Sequence, residues 1–255
     1  MIIKKSMCIV SALLITVSLG SAVNGNEVKA KEIEKPKVVY SSKEIKDIDR
    51  LYEMAKNGET DQEKDLESKV AMKGNVASGD GLDVENLSTS QLLKVTKEGD
   101  KTTETYATTG FAVTHMPSGD FGVQDTSNRS KWDESIGVKA YSTVYYNIEF
   151  DRNKKDYLKF TKITGGWTVQ DKSISLSNRK LVYGANGSAN GSSWISQSAS
   201  INPSGNSFSV NVVKKHPKWK AVTDIASGSS LGGNSTVKLK RRSSTWTLQL
   251  TNNAF

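Results

Sequence analysis

Only two histidines occur in the 255-residue chain, His115 and His216, so acid–base chemistry has to be sought around them. His115 ends a hydrophobic, strand-like run. Asp120 and Asp125 follow in a long polar stretch, with Asp133 and Glu134 beyond. A histidine oriented by a carboxylate can act as a general base, and long loops on rigid scaffolds often carry such groups. A secreted hydrolase using His115 with a nearby carboxylate is therefore one reading. No His-Glu-x-x-His and no P-loop pattern accompanies it. The four carboxylates Asp120, Asp125, Asp133 and Glu134 could face a calcium ion, but they lack the regular spacing of a calcium loop. With two histidines a multi-histidine metal site is not available. The sequence thus assigns no catalytic residue, no metal and no cofactor.

The residue types suited to binding are more numerous. Tyr141 and Tyr145 lie four apart in the run VKAYSTVYYNIEF, from Val138 to Phe150. In a strand they stand on one face, roughly 13 Å apart at about 3.3 Å per residue. With Thr143 and Asn147 they make a row able to receive a sugar or an extended polymer. Near the end of the chain Lys238, Lys240 and Arg242 share one parity, while Val237 and Leu239 take the other. Lys214, Lys215, Lys218 and Lys220 gather around His216 and Trp219. These cations suit an anionic cell-wall polymer, a polysaccharide or an anionic lipid surface. Edge-strand lysines also deter sheet-to-sheet aggregation. A third reading is a membrane-active β-hairpin toxin. Ser173, Ser175 and Ser177, then Ser196, Ser198 and Ser200, flank a glycine-rich stretch as in inserting hairpins. Counting alternate residues puts Lys180 on the side of Ile174 and Leu176, where it would face lipid at a cost of about 2–4 kcal/mol.

The beginning of the chain predicts where these groups act. Lys4 and Lys5 precede an apolar run from Met7 to Val23, with no acidic residue before Glu27. This is the pattern of a signal peptide, residues 1–30, cut after Ala30 or alternatively after Ala22. The apolar core is short for a spanning helix, which needs about 20 residues, and no later segment is apolar enough to span. The one cysteine, Cys8, falls inside the signal, so the mature chain has none and disulfides are excluded. The expected location is secreted or extracellular, with a cell-wall association, and the pattern suits a Gram-positive bacterium. Nucleic acid is the least suited partner for an exported chain.

Charge divides the mature protein. Residues 31–140 hold 16 basic and 21 acidic residues, whereas 141–255 hold 16 basic and 5 acidic. The second half therefore favours an anionic partner.

The elements that must position these groups are mostly strands. Even positions from Val138 to Phe150 are apolar or small, the mark of a central strand with one buried face. Its length suggests a bend or bulge that lets it serve two sheets. Further strands are expected at 92–95, 104–114, 157–163, 167–169, 174–176, 181–183, 194–201 and 208–213. A closing hairpin is expected at 237–240 and 245–251, with its turn at 241–244. Gly165-Gly166 reads as a break, and 184–193 as a mobile, low-complexity loop. Before the strands, residues 31–41 read as a tether. A helix is expected from about Lys43 to Lys56, opened by a capping box at Ser41 and Glu44. A second short helix is expected over 60–72, then a linker over 72–81. The expected organisation is a signal peptide (1–30), a charged helical segment and linker (31–81), and an antiparallel β-sandwich or barrel-like domain (82–255), mainly β overall. The reading these features favour is an exported, non-enzymatic binding protein of the cell envelope or medium. It would engage an anionic or polysaccharide polymer through a basic β surface.

Overall fold

Alternation of apolar and polar residues governs the architecture. The computed structural model describes residues 35–62, 68–75, 83–117, 134–150, 156–189, 193–223 and 228–254. The expected signal peptide, Asp120, Asp125 and Asp133 lie outside the described residues, as do the side chains of His115 and Glu134. One sheet has six antiparallel strands in the order β1 (Lys37–Ser41), β3 (Asp83–Glu98), β4 (Lys101–Pro117), β5 (Glu134–Phe150), β6 (Asp156–Val169) and β9 (Ser207–Asn211). The other has five, in the order β2 (Ser68–Asn75), β11 (Ser244–Asn253), β10 (Ser230–Arg241), β7 (Ser175–Ala189) and β8 (Ser193–Ile201). Two short helices are α1 (Ile48–Lys56) and α2 (Val212–Lys215). The sheets pack face to face in a sandwich. Neither closes into a barrel among the described residues.

The core lies between the sheets, and β5 supplies its centre. Val138, Ala140, Val144 and Tyr146 are fully buried there, with Ile163 and Trp167 of β6 beside them. From the other sheet come Leu181 and Tyr183, then Val237 and Leu239, then Trp246, Leu248 and Leu250. The even face of 138–150 is thus the buried face that its periodicity predicts. The closing hairpin also follows its pattern. β10 and β11 pair from Gly232 with Asn253 to Arg241 with Ser244, leaving a two-residue turn in which Arg242 takes φ 53°. Across the core, the Asn252 amide donates to the carbonyls of Thr108 (3.0 Å) and Ser142 (2.6 Å), tying the sheets together.

Several expectations are corrected. β5 does not serve two sheets; it pairs with β4 and β6 in one, and its irregularities are local bulges at Gly137 and opposite Thr161. Gly165-Gly166 is no break, because β6 runs through it. A Cβ on Gly165 would lie 2.5 Å from the Phe208 ring, so glycine is there for close approach. Most of the expected loop 184–193 is strand: Gly184–Ala189 ends β7, Ser193 starts β8, and residues 190–192 lie outside the described residues. Small residues there are packed rather than mobile, since Gly187 meets Val222 and Thr223. Residues 68–72 are strand β2, not helix, and continue to Asn75. Lys37–Ser41, expected as tether, pairs with β3. Ser41 therefore cannot cap α1. Asp47 does, accepting from the N–H groups of Asp49 and Arg50, each at 3.0 Å. Strands on both sides of position 82 belong to the same pair of sheets, and Glu34–Phe255 form one compact unit.

Parity changes within β7. Thr236 of β10 faces Lys180, but Lys238 faces Ser177, so β7 carries one extra residue near Asn178, whose φ is 50°. Ile174 and Leu176 therefore point inward with Leu181 and Tyr183, while Lys180 points to solvent. Unbroken alternation would place Lys180 beside Ile174 and Leu176; the extra residue puts it on the opposite face.

Candidate functional site

Tyr141 and Tyr145 stand together on the outer face of the six-stranded sheet, as their spacing predicts, but that face is covered. Leu51, Tyr52 and Ala55 of α1 bury themselves against Phe111 and Val113 of β4, and Tyr141 packs at the edge of this second cluster. The Tyr145 hydroxyl donates to Glu44 Oε1 at 2.7 Å. The Lys162 ammonium lies 4.8 Å from its ring centre. Burial first, then the bond to Glu44, pushes the Tyr145 hydroxyl up to about 12. Beneath the helix Lys139 is almost wholly buried. Its Nζ meets Asp49 Oδ1 at 2.8 Å and sits 4.3 Å from the Tyr52 ring. The carboxylate of that pair stays in water, so only the ammonium is desolvated, and the aromatic face offsets part of that cost.

Lys214, Lys215, Lys218 and Trp219 belong to a strap, residues 212–223, that crosses from one sheet to the other. Val212 is buried, Val222 bridges Leu158 of β6, and Thr223 bridges Ser188 of β7. His216 stacks on Trp219 at 4.3 Å, and its Nε2 is 2.9 Å from the Tyr183 hydroxyl. Burial, then the neighbouring Lys215, holds the imidazole below its ordinary value. The four strap lysines are exposed, and Trp219 is half-buried. This histidine is engaged by two aromatic side chains, and among the described residues no carboxylate bonds to it.

Lys238 and Lys240 are exposed on the outer face of the five-stranded sheet, with Lys180 of β7 on the same face. Arg242 is exposed at the tip of the closing turn. Arg241 turns back, its Nη2 3.4 Å from Asp171 Oδ2. The Ser173 hydroxyl, helped by its N–H and by Arg241 and opposed by burial, holds the Asp171 carboxyl below the usual range. Lys238 and Lys240 share a face as their spacing predicts, the bulge at Asn178 adds Lys180 to it, and Arg242 lies in the turn rather than on the strand.

That face is the only broad sheet surface among the described residues on which neither helix packs. No strand of the five-stranded sheet contains an acidic residue, whereas together the strands hold seven basic ones. Hydroxyl and amide side chains fill it: Ser196, Ser198 and Ser200 on β8, Asn186 on β7, Asn234 and Thr236 on β10, and Thr247, Gln249 and Thr251 on β11. Register aligns Ser198, Gly184, Gly232 and Asn253 in one row across four strands. The two glycines leave a shallow groove of about 160 Å³ between Val182, Asn234 and Thr251 on one side and Asn186 and Ser230 on the other. Asn186 is fixed in place, donating to Ser230 Oγ at 3.1 Å and accepting from Ser196 Oγ at 2.8 Å. At the far end Trp194 of β8 is 52% exposed, opposite Ser188. Sequence reasoning missed Trp194 and the groove; parity along 194–200 was the available signal.

Two further spacings lack the local structure of the catalytic motifs they match. Gly228-x-Ser230-x-Gly232 has the spacing of a nucleophile elbow, but Ser230 opens strand β10 and no helix follows it. Ser177-x-x-Lys180 spans the β7 bulge rather than a helix. His115 pairs through its backbone with Asp83 and Ile136. Among the described residues no three of His, Cys, Asp and Glu gather as metal ligands, and no helix is long and apolar enough to cross a membrane. Comparison with protein-family models, with curated proteins and with solved structures found no match to this chain.

Proposed function

We propose that the protein is an exported, non-enzymatic binding module of the cell envelope or surrounding medium that holds an anionic polymer on the outer face of its five-stranded sheet. One observation carries this reading: the strands of that sheet contain no acidic residue, and their uncovered face presents Lys180, Lys238 and Lys240. A polyanion laid there meets no like charge from the strands. The hydroxyl and amide groups between the lysines can replace the water it loses. The signal-like leader supports an extracellular site of action. The exposed strap lysines form a second cationic area and add to the long-range attraction.

Such binding is electrostatic and therefore salt-dependent. The mature protein is incubated with purified Gram-positive cell walls and sedimented across a salt series. Retention at 20 mM salt that falls steeply by 300 mM is expected. Absent retention at low salt, or retention indifferent to salt, would remove the reading.

A further inference from the structure

Trp194 stands apart from the lysines on the same face, and electrostatics does not account for it. The Trp167 and Trp246 side chains are 2% and 6% exposed in the core, whereas Trp194 leaves half its surface in water. It ends a continuous series of groups. From Ser188, its cross-strand neighbour, to Lys180 is eight residues of β7, roughly 26 Å at about 3.3 Å per residue. Along that distance lie Asn186, the Gly184–Gly232 groove and Asn234. Asn234 lines the groove, its Oδ1 buried and without a hydrogen-bond partner among the described residues. The order along the face is therefore indole, amides and hydroxyls around a groove, then ammonium groups.

A polyphosphate would use the ammonium groups and leave the indole idle. An indole gives a flat apolar surface for the C–H face of a ring, and preset amides pair with hydroxyls that point outward from such a ring. We infer that the polymer is an anionic polysaccharide. A pyranose ring stacks on Trp194, the neighbouring residues cross the groove beside Asn186 and Asn234, and the acidic groups reach Lys180, Lys238 and Lys240. This rests on the polyanion reading and adds the sugar. The length of the face calls for several sugar residues, so short oligosaccharides bind weakly.

Full mature protein is titrated with three anionic pyranose polymers (dextran sulfate, alginate and heparin) and with inorganic polyphosphate, using calorimetry and tryptophan emission. Trp194→Ala, Trp194→Phe and the pair Lys238→Ser with Lys240→Ser are compared, after matching Tm values show that each is folded. At least one polysaccharide is expected to shift tryptophan emission and to lose about fivefold to tenfold in affinity in Trp194→Ala, with recovery in Trp194→Phe. Polyphosphate affinity stays unchanged in Trp194→Ala and falls in the lysine pair. If Trp194→Ala binds all three polysaccharides as well as the parent does, the sugar inference is overturned while the polyanion reading stands. If neither polyphosphate nor any polysaccharide binds, the polyanion reading falls and the inference falls with it.

Discussion

The two sheets share one core but differ on their outer faces. On the six-stranded sheet, α1 and the segment before it cover β4 and β5. Phe111, Val113 and Lys139 are buried there, and Tyr145 is bonded to Glu44. Its strands carry seven acidic and seven basic residues. On the five-stranded sheet neither helix packs, the strands carry seven basic residues and no acidic one, and the described outward side chains between Trp194 and the lysines are mostly hydroxyls and amides. One face is finished by the chain itself, whereas the other is left to solvent with a single sign of charge. Aromatic residues alone do not mark a binding surface: Tyr141 and Tyr145 serve packing in one sheet, while Trp194 stands open in the other.

Substitutions should separate the faces. Phe111→Ala, on the outer face of the six-stranded sheet, is expected to destabilise the protein by about 3–5 kcal/mol, as in a true core, read as a urea-midpoint shift. A loss under 1 kcal/mol would mean that α1 adds no second layer. Tyr145→Phe removes a partly buried bond to a carboxylate and should lose about 1.5–3 kcal/mol; an unchanged midpoint would return that tyrosine to the pool of available ligand groups.

The strap gives a pH-dependent intermediate case. Because His216 is held below its ordinary value, the unfolded chain takes up the proton first as pH falls. Stability is whole above about 6.5 and is lost as pH falls below that value and through the folded one. Urea midpoints at pH 7.5 and 5.0 should therefore differ more in the parent than in His216→Gln. An equal difference would show that other groups set the acid limit. The smallest stability effect is expected on the open face: Lys238→Ser with Lys240→Ser should change stability by only about 0.5 kcal/mol or less while flattening the salt dependence of binding. A large loss of stability in that pair would place these lysines among the structural groups.

Much of the fold was legible in the residues. The alternation at 138–150 and the apolar sets Val237 with Leu239 and Trp246 with Leu248 follow directly from the period of two, which local sequence enforces. What the residues concealed shares one cause: each depended on contacts distant in sequence. The strand at 68–75 is polar and lysine-bearing, and it exists because β11 supplies backbone partners. The small residues at 184–189 look like a loop, yet β8 and β10 hold them as strand. The shared face of Lys180 and Lys238 depends on one extra residue near Asn178.

Local sequence set the β character, the inward residues of the central strand and closing hairpin, and the excess of positive charge after residue 140. Tertiary structure decided which outward face stays open. A period of two says only that alternate residues face opposite ways. Whether the second side meets water or another layer depends on where a distant segment docks, and here α1 docks over Tyr141 while neither described helix docks over Trp194.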